Sequence, residues 1–222
     1  HRAGRSVSAP LSADAARYRA HVAKVWADEP ADGAHDLGHL ARVWANARAI
    51  ALDEPLVDWQ VLEPAVWFHD LVNVAKDSPD RARASTHSAA AAVAFLRPDG
   101  FPEHKLAAVA HAIAAHSFSA GIAPETPEAR ILQDADRLEA LGAIGLVRMF
   151  LVSGALGGGG FDSIDPLAMH RPLDDRAYAL DHLEVKLFGL VDTMQTATGR
   201  AIAAERAEWM HSFRTRLLSE IG

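Results

Sequence analysis

Apolar residues recur along much of this chain at the spacing of an α-helix. Half of the residues are apolar and only 7% are aromatic, with alanine and leucine supplying much of the apolar half. Such residues favour helices packed at close range over β-sheets. One inward face consists of His39, Val43, Ala47 and Ile50, and another of Leu180, Leu183, Leu187, Leu190 and Val191. The pattern predicts an all-α fold, a helical bundle.

The chain length of 222 residues is near the upper end of what one hydrophobic core serves, so a single domain is predicted. Residues 1–10 are expected to be a flexible N-terminus or an expression remnant, and residues 11–222 the domain. Within it we expect a metal-site core at about 35–150 and a C-terminal helical pair at about 175–222. Caps, prolines and glycines predict helices at 12–27, 37–52, 81–96, 102–116, 127 to about 147 or 150, 175–198 and about 199–221. The stretch 56–71 is predicted to be one short helix or two, because Pro64 interrupts it. Asp36 and Asp80 are the predicted caps of the helices that follow them, with a loop at 72–79 and a flexible connection at 154–160.

Charge and composition exclude several classes of function. The formal charge of -7 argues against binding to nucleic acid polymers or acidic membranes. No apolar run approaches the ~20 residues that cross a bilayer, and the first residues lack the apolar core of a signal peptide, so we expect a cytoplasmic protein. There are no cysteines, so any metal must be held by His, Asp or Glu.

Two polar residues that are unfavourable to bury, His69 and Asp70, directly follow the apolar run AVWF. Helical spacing aligns His69 with Leu62 and Val66, so it is predicted to face the core, where an unpaired polar group is strongly unfavourable. A histidine bonded to a backbone carbonyl beside a helix-terminal aspartate is the alternative for this pair taken alone. His39 favours a metal site, because it begins a second inward face.

Asp134 and Asp136 occur in RILQDADRLEALGAIG, a helix otherwise rich in apolar and small residues. Two positions along a helix differ by about 200°, so only one of the two can face a given site. We prefer Asp136 as the ligand, because it aligns with Leu132 and Ala140, and we expect Asp134 to orient a histidine. The alternative is that both carboxylates are solvated or form ordinary ion pairs.

Two imidazoles and two carboxylates form a donor set of intermediate hardness. Such a set suits Mn²⁺, Fe²⁺, Co²⁺, Ni²⁺ or Mg²⁺ and leaves positions open for water and substrate oxygens. An open metal of this kind polarises a phosphoryl oxygen and activates a bound water as a nucleophile. The residues therefore predict hydrolysis at phosphorus, with the metal-bound water and Asp70 at the centre of the chemistry.

The chain contains three separated motifs: HLARV at His39, WFHD ending at Asp70, and DADRL containing Asp136. They resemble the H…HD…D motifs of the HD-domain phosphohydrolase superfamily. AHDLGHLARV, HSFS, ILQDADRLEALGAIGLVR and KLFGLVDTM resemble, more narrowly, small stand-alone bacterial HD hydrolases of the YedJ-like and YpgQ-like kind, from about Ala20 onwards. The resemblance implies an HD-type helical bundle and metal-dependent hydrolysis of phosphate bonds, with nucleotides among the candidate substrates.

Further polar residues are candidates for the same pocket. Some HD proteins use two more histidines for a second metal. His116, His87 and His35 are candidates for that role or for lining the pocket. A site with one metal is nevertheless the preferred prediction. The cations predicted to grip substrate phosphate are Lys76, Arg81 and Arg148.

The prediction is a phosphohydrolase acting on a small phosphorylated substrate, with a divalent ion held by His39, His69, Asp70 and Asp136. Two alternatives stay open: a di-iron oxygenase on the same ligand framework, and a metal-binding regulatory module without turnover. Nothing in the chain indicates a nucleic-acid or membrane partner. A second copy of the chain, forming a homo-oligomer, is the one protein partner left open.

Overall fold

A computed structural model of the protein describes residues 12–27, 36–72 and 82–221. These residues form helices and turns, and their only β-type pairing is an isolated bridge between Gly159 and Tyr178, so the predicted all-α class is confirmed. The α-helices are α1 Ala13–Trp26, α2 Leu37–Ala51, α3 Trp59–Phe68, α4 Ala84–Leu96, α5 Glu103–His116, α6 Pro127–Arg137, α7 Gly142–Ala155 and α8 Ala197–Ile221. The chain divides into two compact units, His1–Leu132 and Gln133–Gly222.

In the first unit, side-chain caps begin α1 and α2 at the predicted positions. Ser12 Oγ accepts from the backbone N–H of Ala15, and Asp36 does the same for His39 at the start of α2. Helix α5 packs against α3 and α4. Six apolar side chains of α3 are buried in this core: Val61, Leu62, Ala65, Val66, Trp67 and Phe68.

Two predicted helices of the first unit differ in extent from the helices in the structure. The stretch 56–71 contains one helix that includes Pro64, since α3 is continuous from Trp59 to Phe68. Helix α4 begins at Ala84 rather than residue 81. The predicted loop at 72–79 and the predicted cap Asp80 lie outside the described residues, except for Val72.

The predicted continuous helix from 127 to about 147 or 150 is wrong. A 3₁₀ turn at Leu138–Ala140 follows α6, and Leu141 is then extended. Gly142 starts α7 with a φ of 73°, a left-handed conformation that glycine adopts without the strain of a Cβ. The helix therefore breaks where the sequence changes from leucine to glycine.

The predicted helix at 175–198 is also wrong in extent. Before α8, a short helical stretch begins at residue 181 and consists mainly of a π-helical turn at Leu183–Leu187 and a 3₁₀ segment at Phe188–Thr193. Of its predicted inward face, Leu180, Leu183 and Leu187 are buried, whereas Leu190 and Val191 are half-buried. The second helix of the pair is α8, which starts slightly earlier than expected.

The glycine-rich connection at 154–160 is hydrogen-bonded to a later segment. Gly159 N–H donates to the carbonyl of Ala177, and Ala179 N–H donates to the carbonyl of Gly159. In the segment that follows the connection, the Arg171 guanidinium donates to both carboxylate oxygens of buried Asp181 at 2.6 and 2.9 Å. The connection is thus held by backbone hydrogen bonds to a segment that contains a salt bridge of its own.

Among the described helices, none is by itself both long and apolar enough to cross a membrane. The bent pair Pro127–Ala140 and Gly142–Ala155 meets the criteria of length and composition only when its two members are taken together.

Candidate metal centre

His69 and Asp70 lie at the carboxyl end of α3, where the helix gives way to a turn. His69 is the C-terminal cap and is fully buried. Its ring Nδ1 is 2.7 Å from the carbonyl oxygen of Val66, one turn earlier. In the neutral ring this contact places the proton on Nδ1, which leaves Nε2 with a lone pair.

His116 is built in the same way at the carboxyl end of α5. Its Nδ1 is 2.6 Å from the carbonyl oxygen of Ile113, and its side chain is 6% exposed. Its Nε2 lies 3.5 Å from Asp70 Oδ1. Two helix ends thus present two histidine rings, each oriented by a carbonyl of its own helix.

His39 completes the group from the first turn of α2. Its side chain is 1% exposed, and its Nε2 is 3.7 Å from Asp70 Oδ2. The Nε2 of His69 is 3.5 Å from the same oxygen. We call His39, His69, Asp70 and His116 the histidine cluster, in which three imidazole Nε2 atoms surround one carboxylate.

The chemistry of the donor set fits a divalent cation. Ligand atoms of His39, His69 and Asp70 all lie within 4.8 Å of one another. The carbonyls behind His69 and His116 are outer partners of the kind that orient metal-binding imidazoles. Imidazole nitrogen with carboxylate oxygen suits Mn²⁺, Fe²⁺, Co²⁺ or Ni²⁺.

The histidines also determine the charge of Asp70. Burial alone would raise the pKa of its carboxyl, but the charge of His69 and hydrogen bonds from His116 and His39 outweigh burial and hold that pKa well below its usual range. Asp70 is therefore a carboxylate at neutral pH. Its side chain is 25% exposed, so the cluster is reached by solvent at the carboxylate.

The two acidic residues of DADRL differ in their surroundings. Asp136 lies in α6 within the second unit and is half-buried; its assignment as a metal ligand stays a prediction. Asp134 is fully buried, so the solvated alternative is wrong for it. Its carboxylate accepts from the N–H of Gln195 and from both the N–H and the hydroxyl of Thr196, at 2.7–2.8 Å.

These contacts correct the role expected for Asp134. Rather than orienting a histidine, it holds the two residues that precede α8. The Oγ1 of Thr196 in turn accepts from the N–H of Gly199. Helical phase could not distinguish this structural role from an outer partner of the metal, because the donor groups lie 61 and 62 residues further along the chain.

The remaining candidates separate into three groups. Lys76, Arg81 and His35 lie outside the described residues. Arg148 lies on α7 of the second unit and is half-buried. His87 is exposed on α4 and belongs to none of the possible metal-holding groups found among the described residues.

Two residues that the sequence reasoning missed are Ser85 and Ser88, which flank His87. Both are buried, with 2% and 1% of their surface exposed. Their hydroxyls bond backbone groups close to Asp70 and His116. The available signal was a pair of serines three positions apart on one face of an alanine-rich helix.

Comparison with known proteins points to one family. The family model described as HD domain matches residues 36–141. The uncharacterized protein YpgQ of Bacillus subtilis strain 168 is 32% identical over 168 residues, which are 74% of each protein. The crystal structure of B. subtilis YpgQ in complex with ADP matches with a TM-score of 0.71 and 31% identity, covering 93% of this chain and 97% of that one. An HD-superfamily hydrolase from Bacillus thuringiensis matches with a TM-score of 0.71 and 27% identity, over 93% and 96%.

Proposed function

The chain belongs to the HD-domain superfamily, among the YpgQ-like proteins, and we propose that it is a metal-dependent phosphohydrolase. Its reaction is the cleavage of a phosphoester or phosphoanhydride bond in a small phosphorylated substrate. The observation that carries the proposal is the histidine cluster, in which three Nε2 atoms lie 3.5–3.7 Å from the oxygens of Asp70. Imidazole nitrogens beside a carboxylate are a donor set for a divalent cation.

His39, His69 and Asp70 would hold the ion, together with Asp136 as the family motif implies, and His116 is the further histidine at the same place. A divalent ion supplies Lewis acidity toward a phosphoryl oxygen and favours the ionisation of water near neutral pH. Groups of the chain itself orient the ligands and keep the carboxylate charged. The carbonyls of Val66 and Ile113 fix the imidazole rings, and the lowered pKa of Asp70 keeps its negative charge.

A nucleotide is the substrate class that we favour. The related YpgQ has been crystallised in complex with ADP, and this supports a nucleoside phosphate as the substrate class here. Lys76, Arg81 and Arg148 remain the proposed cations for its phosphate groups. Their substitution by alanine is expected to raise KM for phosphorylated substrates.

The test is an activity screen of the full chain with a matched pair of variants. Nucleoside mono-, di- and triphosphates, cyclic nucleotides and generic phosphoesters are assayed for release of phosphate or pyrophosphate with Mn²⁺, Co²⁺, Ni²⁺ or Mg²⁺. Activity should require the ion and disappear in Asp70→Asn, but not in Asp99→Asn, which affects an ion pair with Arg17 elsewhere in the first unit. Full activity of Asp70→Asn, or activity of the metal-free protein, would refute the proposal.

The presence of His116 beside Asp70 favours one second candidate, an iron-dependent oxygenase. Additional imidazole ligands suit iron chemistry as well as hydrolysis. Oxygen uptake by the iron-loaded protein, without phosphate release from any substrate in the screen, would support the oxygenase. Metal binding with neither activity would indicate the regulatory module.

A further inference from the structure

Helix α4 has two faces with different surroundings. His87, the residue of this helix that stands out in the sequence, is exposed. Ser85 and Ser88 are three positions apart, and both are buried. Serine is a weaker helix former than the alanines around it, and a buried hydroxyl is unfavourable unless it is hydrogen-bonded. The two hydroxyls therefore call for partners.

Ser88 bonds the chain directly after Asp70. Its Oγ accepts from the N–H of Val72 at 3.0 Å and lies 3.5 Å from the carbonyl oxygen of the same residue. This stretch follows the end of α3, where the N–H of Leu71 closes a backbone turn with the last residue of that helix. The indole of Trp26, from α1, donates to the carbonyl of Leu71 at 3.3 Å. The backbone that leaves Asp70 is thus held by side chains.

Ser85 bonds the helix that carries His116. Its Oγ donates to the carbonyl of Ala114 at 3.0 Å. Ala114 lies in the last turn of α5, where carbonyls lack an intrahelical donor. The bond is two residues from His116, and so it fixes the turn from which that ring projects.

One helix therefore bonds both segments that meet in the histidine cluster. Asp70 Oδ1 and His116 Nε2 are 3.5 Å apart, although 45 residues lie between Asp70 and His116 in the sequence. Ser88 holds the Asp70 segment, and Ser85 holds the His116 segment, from the same buried face of α4. Any shift between the two segments would have to break or stretch one of these bonds.

We propose that Ser85 and Ser88 are positioning residues that set the separation of Asp70 and His116 for metal binding. They touch neither the ligand atoms nor substrate, and act through the backbone. The inference rests on the proposed function only in taking the histidine cluster as a metal centre.

The test compares metal affinity at matched stability. Mn²⁺ is titrated calorimetrically into the metal-free full chain as wild type, Ser85→Ala, Ser88→Ala and the double variant. The control is Ala89→Gly, which weakens the same helix at a buried position but removes no hydroxyl. We expect the dissociation constant for Mn²⁺ to rise by about 10-fold in Ser88→Ala and further in the double variant. Ala89→Gly is expected to stay within twofold of wild type.

Turnover provides a second measurement. If the serines act through metal binding, the loss of kcat in Ser88→Ala should be large at limiting Mn²⁺ and should recover at saturating Mn²⁺. A general loss of stability would instead lower activity equally at both concentrations, as in Ala89→Gly. If Ser88→Ala does not fold, Ser85→Ala is compared with the same control.

The outcomes separate this inference from the proposed function. Mn²⁺ affinities of both serine variants equal to that of Ala89→Gly overturn the positioning role, even if the wild type releases phosphate. Weakened Mn²⁺ binding in the serine variants, with no phosphate release by the wild type, supports the positioning role and refutes the hydrolase. A wild type that binds none of Mn²⁺, Co²⁺, Ni²⁺ and Mg²⁺ overturns both.

Discussion

Two aspartates have opposite surroundings: half-buried Asp70 in the first unit and fully buried Asp134 in the second. Asp70 is faced by the imidazoles of three histidines, which lower the pKa of its carboxyl despite burial. Asp134 is faced by two backbone N–H groups and a hydroxyl, and burial raises the pKa of its carboxyl despite these hydrogen bonds. Both occur in a conspicuous motif, and the sequence places both at the metal site, Asp70 as a ligand and Asp134 as a residue that orients a histidine.

The difference shows what distinguishes a reactive carboxylate from a structural one. Imidazoles can give their Nε2 lone pairs to a cation that the carboxylate also binds. The donors around Asp134 have no such capacity, and its oxygens are already used as acceptors by Gln195 and Thr196. The first region is arranged to receive a ligand, and the second holds the start of a helix.

The comparison is tested most strongly by substituting Asp70. Asp70→Asn keeps the shape of the side chain but removes its charge. We expect phosphohydrolase activity to fall by roughly 10³-fold or more, the loss of a few kcal/mol of transition-state stabilisation. Helical circular dichroism and the unfolding midpoint should change little. Activity and metal content are measured on the same preparation, and a large loss of folding instead would mean that Asp70 is a structural aspartate like Asp134.

Asp134→Ala should produce the converse result. It leaves the N–H groups of Gln195 and Thr196 and the Thr196 hydroxyl without their acceptor, so we expect a loss of about 3 kcal/mol in the free energy of unfolding. Urea denaturation measures the loss, with Asp192→Ala as the control, because Asp192 is exposed. The fraction that remains folded should still bind Mn²⁺. Wild-type stability combined with lost metal binding would reverse our assignment of the two aspartates.

Asp181 is a third aspartate for the comparison, because its partner is Arg171, a cation of the chain itself. Burial raises the pKa of its carboxyl, but hydrogen bonds from Arg171 and the N–H of Asp174 have the larger effect and lower it. At pH values above the ordinary pKa of 3.8, the ionised carboxylate therefore stabilises the folded state. This stabilisation is lost as the pH falls through the lower folded-state pKa. We expect Asp181→Asn to lower the unfolding free energy by about 2 kcal/mol at neutral pH.

The same variant predicts a pH dependence. The difference in unfolding free energy between wild type and Asp181→Asn should shrink as the pH is lowered below 3.8. Urea unfolding at a series of pH values measures it, with Asp192→Asn as the reference. A difference that is constant with pH would show that the ionised carboxylate is not the source of the stability.

The smallest expected effect concerns the space beside Asp134. A Cβ on Gly199 would meet Asp134 Oδ2 and Thr196 Oγ1. Gly199→Ala should therefore destabilise the protein by about 1 kcal/mol, since overpacking outweighs the gain in helix propensity. Gly154→Ala is the control, because nothing lies near that position, and there a slight stabilisation is expected. Equal shifts in the melting temperatures of both variants would contradict the tight packing at Asp134.

Local chemistry explains the features that were predicted well. The cap at Asp36 and the apolar period after it predict α2 and the inward direction of His39, because both depend on neighbours within a few residues. The apolar run before His69 predicts its burial in the same way. The break at Leu141–Gly142 was missed because an apolar, small-residue sequence is compatible with both a continuous helix and a turn.

The histidine cluster itself was only partly predictable. His39, His69 and Asp70 followed from their motifs, whereas His116 was one of several candidate histidines. Its place beside Asp70 depends on how α3 and α5 pack, and the sequence does not specify that distance. Asp136 remains a prediction from motif and helical phase.

By itself, the sequence determined the helical class, the residue types able to bind a metal and the helix ends that present them. These properties depend on periodicity, capping and donor chemistry, which operate over one or two turns. Only the tertiary structure decided that His116 faces Asp70, that Asp134 holds the start of α8, and that Ser85 and Ser88 hold the segments around the cluster. Those roles depend on contacts between residues far apart in the chain, which form only when the helices pack.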